Sequence, residues 1–252
     1  MSSEKKVAVI TGAASGIGLQ IAHRLCQQDL RVVMLDRSEV VADRAADVKK
    51  NGGSADFITV DLGSTEQTLS AAEQVKERYG RCDILINNAG IHPKRNGAVQ
   101  ALDDISLDEW EIVFRVNLTA PFLLCQQFVP LMKEKKWGRV VNIASRAGRT
   151  YSERASTSYS ASKAGLIGMT RKIAGDYGAF GITANCIAPG QIETPLARTS
   201  SPEVLENAAG LIRMRRLGAA DEVASAAEYL VSVPAGFITG SVVDVNGGEF
   251  MP

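Results

Sequence analysis

Tyr159 and Lys163 stand four residues apart in Tyr159-Ser160-Ala161-Ser162-Lys163. In a helix, residues i and i+4 share a face, so this spacing sets a phenol beside an ammonium. A free tyrosine, with a pKa of about 10, is a poor base at neutral pH. A neighbouring cation favours the phenolate and lowers that value. The pair therefore reads as a general acid/base for proton exchange with an alcohol or carbonyl oxygen. Taken alone, the same spacing also recurs on solvated helix faces. Ser145 raises its weight, because it ends the apolar strand just upstream and its hydroxyl can sit over the same crevice.

A second constellation lies near the N-terminus, in Thr11-Gly12-Ala13-Ala14-Ser15-Gly16-Ile17-Gly18. The glycines are spaced by four and two, which is not G-x-G-x-x-G. The physics is shared: a strand enters a Gly-rich turn and a helix begins at once. Its free N–H groups and positive dipole end suit a pyrophosphate. Gly12, Ser15, Gly16, Ile17 and Gly18 are the candidates there. Asp36 closes the next apolar run, 18 residues beyond Gly18. A carboxylate at that point accepts hydrogen bonds from the adenosine ribose hydroxyls and repels a 2′-phosphate. NAD is therefore expected over NADP, with Arg37 as the ambiguity, since a basic residue there can meet a phosphate. With only two histidines, His23 and His92, and no C-x-x-C pair, no metal site is expected.

Short β-branched runs alternate with longer helical segments. Strands are expected at 7–11, 31–35, 55–60, 83–87, 139–144, 182–188 and 241–245, and helices at 16–28, 39–50, 65–79, 107–135, 158–177 and 220–231. The near-uniform apolar character of several strands fits parallel strands buried on both faces. The alternation implies an α/β fold: a single-domain Rossmann fold over residues 1–252, with a doubly wound parallel sheet of about seven strands flanked by helices. Residues 91–106 and 190–217 read as long irregular loops. Both follow strand C-termini, where such folds bind ligands.

Lys plus Arg and Asp plus Glu both number 28, so bulk charge offers nothing to nucleic acid or an acidic membrane. The apolar run 7–10 is too short for a signal peptide or a span. Cys26, Cys82, Cys125 and Cys186 read as buried free thiols, which fits a reducing compartment. A cytoplasmic protein is expected.

In this order and combination, the sequence resembles the short-chain dehydrogenase/reductase family over essentially its whole length. The resemblance rests on the glycine turn, Asp61-Leu62, Asn87-Asn88-Ala89-Gly90, Asn117, Ser145, Tyr159 with Lys163, and Pro189-Gly190 with Thr194. It implies that Tyr159 is the catalytic acid/base and that Ser145 polarises the substrate oxygen. Lys163 would bond the nicotinamide ribose and depress the Tyr159 pKa, and Asn117 would place a water behind Lys163. It further implies that Asp61 and Leu62 lie at the adenine and that Asn88, Ala89 and Gly90 hold the crevice. Pro189, Gly190, Ile192 and Thr194 would cover the nicotinamide. A homotetramer, or less often a dimer, follows from the same resemblance.

The substrate-facing loops carry His92, Arg95, Arg146, Arg154, Gln191 and Arg198, with Arg149, Arg213, Arg215 and Arg216 near them. These cations read either as solvated or paired with acidic neighbours, or as a grip on an anionic substrate. The expected substrate is a small polar alcohol: a polyol, sugar or hydroxy acid. The second reading is an NADPH-dependent 3-oxoacyl carrier-protein reductase, suggested by 162–168 and by Val245-Asn246-Gly247-Gly248. Phe180 stands where those enzymes usually carry a basic residue and, with Asp36, weighs against it. A non-catalytic dinucleotide sensor on the same fold is a third reading.

Overall fold

A computed structural model describes residues 5–194, except 51 and 96, together with 202–251. Its frame is a seven-stranded, all-parallel sheet in the order β3-β2-β1-β4-β5-β6-β9. The strands are β1 (Lys6–Thr11), β2 (Leu30–Asp36), β3 (Ser54–Thr59), β4 (Ile84–Asn87), β5 (Gly138–Ile143), β6 (Ile182–Pro189) and β9 (Val242–Val245). Between them run α1 (Gly16–Cys26), α2 (Val40–Lys50), α3 (Thr65–Tyr79), α4 (Leu107–Phe114), α5 (Ala120–Lys135), α6 (Thr157–Tyr177), α7 (Pro202–Leu211) and α8 (Ala220–Val231).

Strand alternation builds two cores. Ala8, Ile10, Val32 and Met34 pack on the face covered by α1, α2 and α8. Their neighbours Val7, Val9, Val33 and Leu35 pack on the other face, under α3 and α5. All four cysteines are buried and free. The strand order turns between β1 and β4, so the loops after these two strands diverge to opposite faces and open a crevice at the sheet's C-terminal edge.

Two elements differ from the sequence expectation. The helix expected at 107–135 is interrupted by a π turn, Arg115–Thr119, between α4 and α5. Pro121 has no N–H to give the Asn117 carbonyl, so the α ladder fails there and a wider turn replaces it. The stretch 190–217 is not wholly irregular. It holds α7 and a two-residue pairing of β7 (Ile192–Glu193) with β8 (Gly218–Ala219). The segment 107–135 is long and apolar enough to cross a membrane by length and composition. Half of its most apolar window is buried, and α5 lies against α3, β4 and β5.

Candidate active site

The loops that follow β1 and β4 are stitched together at the mouth of the crevice. The Thr11 hydroxyl accepts from the N–H groups of Asn88 and Ala89, both at 3.0 Å. Asn88 Nδ2 donates to the Thr11 and Gly12 carbonyls at 2.9 and 3.0 Å. Only glycine fits at Gly12: φ is +66°, and a Cβ would lie 2.9 Å from the Ala89 Cα. Gly18 serves packing and does not line the crevice, because a Cβ there would sit 2.2 Å from the Gly12 carbonyl oxygen. Ser15 caps α1 in an extended conformation without a side-chain cap bond, so the first turn offers free N–H groups beside an exposed hydroxyl.

Asp36 ends β2 with both oxygens engaged. Oδ2 accepts from Ala14 N–H at 2.9 Å and Oδ1 from Ser38 N–H at 3.0 Å. These bonds fix a full carboxylate at the rim, next to Arg37. Asp61 Oδ1 accepts from Gly63 N–H at 2.8 Å, and Asp61 and Leu62 line the crevice nearby. The helix start, the Asp36 carboxylate and a cavity of about 660 Å³ together fit an adenine dinucleotide.

The opposite wall carries the proton chemistry. Ser145, just beyond β5, accepts from Ala147 N–H at 3.1 Å and hydrogen-bonds the Tyr159 hydroxyl. Burial pushes the Tyr159 phenol up, and the Ser145 bond only partly opposes it. The group that opposes the rise is Ser145, where the expectation had Lys163. The Lys163 ammonium lies 5.7 Å from the Tyr159 ring centroid and donates at 2.7 Å to the Ile143 carbonyl. Burial brings Lys163 itself down to about 8.

Asn117 sits on the π turn, fully buried. Its Oδ1 accepts from Ile91 N–H at 2.8 Å, and its Nδ2 donates to the Ile91 carbonyl at 3.0 Å and to Ser162 Oγ at 3.1 Å. It clamps the loop after β4 onto α6 and is not part of the crevice lining. A Cβ on Gly90 would lie 3.2 Å from Lys163 Nζ and 3.3 Å from Asn117 Oδ1, so the loop passes close over both.

Of the candidate substrate contacts, His92, Arg146, Arg154 and Gln191 line the crevice. Arg95 does not. It is exposed and turns to Glu109 at 3.7 Å. Arg146 is committed to Glu249 at 3.1 Å, to Ser152 Oγ and to the Tyr151 carbonyl, so its fork is a strut and not a free anion grip. Arg149 pairs with Asp244, and Arg216 with Glu222. Arg198 lies outside the described residues. Pro189, Gly190, Ile192 and Thr194 line the far side. Among the described residues no cluster of metal-ligating side chains occurs.

Sequence reasoning missed three features of the site. Lys94 and Val99, from the loop after β4, line it. Gly148 lets the short turn after Ser145 rest on α6, since a Cβ there would lie 2.7 Å from the Lys163 carbonyl carbon. Ser156 caps α6 by accepting from Tyr159 N–H at 3.3 Å. Its signal was a serine three residues before the tyrosine at a helix start.

Comparison with known proteins agrees with this geometry. A family model described as enoyl-(acyl carrier protein) reductase, of the short-chain dehydrogenase/reductase type, matches residues 12–249. The chain belongs to the short-chain dehydrogenase/reductase family. It is 36% identical over 252 residues to a 3-oxoacyl-[acyl-carrier-protein] reductase of Salmonella typhimurium, covering 100% of both chains. A Brucella melitensis 3-oxoacyl-[acyl-carrier protein] reductase solved with bound NAD superposes with a TM-score of 0.90 at 37% identity, covering 100% of this chain and 93% of that one. A putative NAD(P)-dependent gluconate 5-dehydrogenase from Beutenbergia cavernae, solved with NADP at low occupancy, gives a TM-score of 0.90 at 31% identity, covering 98% of each chain. As a member of this family, the chain is an oxidoreductase acting on CH–OH groups. The relatives support the carrier-protein reductase, placed second by sequence, better than the polyol, sugar or hydroxy acid placed first.

Proposed function

We propose that this protein interconverts a 3-oxoacyl thioester and its 3-hydroxyacyl counterpart, with NAD preferred over NADP. One observation carries the reading. The Tyr159–Ser145 hydroxyl pair and the free N-terminus of α1 face one crevice, in a chain that aligns end to end with a 3-oxoacyl-[acyl-carrier-protein] reductase. Gly12, Ser15, Gly16 and Ile17 would hold the dinucleotide phosphates, Asp36 the adenosine ribose, Asp61 and Leu62 the adenine, and Lys163 the nicotinamide ribose. A bound nicotinamide supplies or receives the hydride. Ser145 donates a hydrogen bond to the substrate oxygen, and Tyr159 passes it the proton. Asn88 and Asn117 keep the crevice walls in place.

The cofactor preference rests on Asp36, whose carboxylate is held at the rim by two backbone N–H groups. A 2′-phosphate would face that fixed charge. A small polar alcohol is the second reading. The gluconate dehydrogenase neighbour favours it, as does the presence of Lys94 and Arg154 at the mouth. A non-catalytic sensor is disfavoured, because Ser145, Tyr159 and Lys163 line one crevice and Asn117 clamps the loop beside them. We propose in addition a cytoplasmic homotetramer with no nucleic-acid or membrane partner.

The deciding assay follows reduced nicotinamide during reduction of an acetoacetyl thioester, with NADH and NADPH in parallel, and during oxidation of a panel of polyols and hydroxy acids. Turnover of the thioester, faster with NADH, is the expected result. Turnover of the polar alcohols alone would overturn the substrate. Equal or better efficiency with NADPH would overturn the cofactor.

A further inference from the structure

His92 follows the β4 loop into the crevice and lies against the reacting tyrosine. Its ring stacks on that of Tyr159, with centroids 4.3 Å apart and planes inclined by 28°. Its Nε2 takes a hydrogen bond from the backbone N–H of Ser156 at 3.2 Å. A peptide N–H can only donate, so Nε2 carries a lone pair and the proton of the neutral ring is on Nδ1. Burial and the Lys94 charge hold the imidazole at a pKa of about 4, which keeps it neutral at physiological pH.

Ser156 also caps α6 through its hydroxyl, so one residue fixes both the His92 ring and the Tyr159 backbone. The Nδ1–H has no acceptor among the described residues, and it is not among their sealed, unpartnered polar atoms. A neutral hydrogen-bond donor therefore stands open in the crevice, one ring-stack away from the phenol. The crevice also presents cations at Lys94 and Arg154, the Gln191 amide and the hydroxyls of Ser145, Ser152 and Tyr159, but among the described residues only the His92 ring stacks on Tyr159.

We infer that His92 is a specificity-determining substrate contact, donating Nδ1–H to a second carbonyl oxygen of a 1,3-dicarbonyl substrate whose reacting ketone is held by Ser145 and Tyr159. The inference rests on the 3-oxoacyl thioester reading above, in which the thioester carbonyl is that second oxygen. A neutral donor suits a neutral carbonyl, and it adds no second proton source beside Tyr159. A polar alcohol without that second carbonyl would leave the donor unused.

The test uses two substrates, an acetoacetyl thioester and a simple cyclic monoketone, with wild type and three variants. His92→Phe keeps the stack on Tyr159 and removes both nitrogens. His92→Gln restores an acceptor for Ser156 N–H without a donor at Nδ1. His92→Asn places an amide N–H near Nδ1. Thermal melting and NAD binding on each variant report folding separately from activity. For His92→Phe and His92→Gln the thioester KM is expected to rise about five- to tenfold, the size of one lost neutral hydrogen bond. The monoketone is expected to lose less than the thioester in His92→Phe, which keeps the stack on Tyr159, so the ratio of thioester to monoketone KM rises several-fold. His92→Asn should recover part of the thioester KM.

Equal losses on both substrates would overturn the inference and leave His92 as packing for Tyr159. Unchanged thioester KM in all three variants would overturn it as well. In either case wild-type activity on the thioester would leave the functional reading intact. If wild type reduces the monoketone and not the thioester, that reading fails, and the inference fails with it.

Discussion

At the scale of single residues, the balance of burial against charge decides the proton chemistry. Burial raises the Tyr159 phenol, with the Ser145 bond opposing it, and burial lowers Lys163. Tyr159→Phe keeps the ring on which His92 stacks and removes the transferable proton. Turnover should fall by about 10²–10⁴-fold while NAD affinity, read by titration calorimetry, is nearly unchanged. Retention of most of the wild-type rate would refute the acid/base role.

Lys163 carries a cost in stability. Its folded-state pKa of about 8 lies below that of the unfolded chain, so below pH 8 the buried ammonium opposes folding in full. That penalty fades as pH rises from 8 to about 10.5. Lys163→Met should therefore be more stable than wild type at pH 7, by at most about 3 kcal/mol less about 1 kcal/mol for the lost Ile143 bond. The gain should shrink in alkaline melts, and a gain independent of pH would contradict the assignment.

Asp36→Ala tests the rim carboxylate. A preference for NAD of about a hundredfold in kcat/KM corresponds to about 2.7 kcal/mol, and it should erode chiefly through weaker NAD binding. Part of the loss would come from Ala14 and Ser38, whose N–H groups lose their acceptor.

At the scale of elements, α6 is the beam on which the site hangs. A buried polar chain ties it to the sheet. Asn87 Nδ2 donates to Asn142 Oδ1 at 2.7 Å, and Asn142 Nδ2 to Thr170 Oγ1 at 2.8 Å. At its N-terminal end the Ser145 turn rests on α6 through Gly148. Gly148→Ala would drive a methyl into backbone atoms of Lys163 and Ala164 at 2.7 and 2.8 Å. The variant should lose about 1–3 kcal/mol of stability by denaturant melts. Its kcat should also fall, because the displaced turn carries Ser145. NAD binding should suffer less, since the α1 end is remote from this contact. The π turn plays the matching part on the other side, aiming Asn117 at Ile91 and Ser162.

At the scale of the whole molecule, the loops that close the crevice come from distant parts of the chain, and the C-terminal tail is among them. Glu249 reaches the Ser145 turn through Arg146, with both side chains largely buried. Leu107, Ile112 and Phe122 are exposed along the α4–α5 segment. Association of copies across this segment is the assembly we propose. Light scattering at micromolar concentration should give a tetramer, and Phe122→Asp should shift it to smaller species without unfolding the chain. A wild-type monomer would reject the assembly.

The parallel sheet was legible in the sequence because β-branched runs and helical periods alternate with little ambiguity. The glycine turn, Asp36 and the Tyr159–Lys163 spacing were legible because each is a local pattern with a local physical meaning. Strand and helix ends moved by a residue or two, but their order did not. The π turn had only Pro121 as its signal, and α7 was hidden in a stretch read as loop. Contacts across the chain were not legible at all. The pairing of Arg146 with Glu249 rather than a ligand is set by residues about a hundred positions apart, as is the turning of Arg95 to Glu109 by the path of one loop. Sequence spacing told that a cation stands near Tyr159. Only the packed structure decided that burial raises the phenol and lowers the ammonium, with Ser145 as the group that opposes the rise, because burial depends on every element stacked around α6 and not on the three residues between phenol and ammonium.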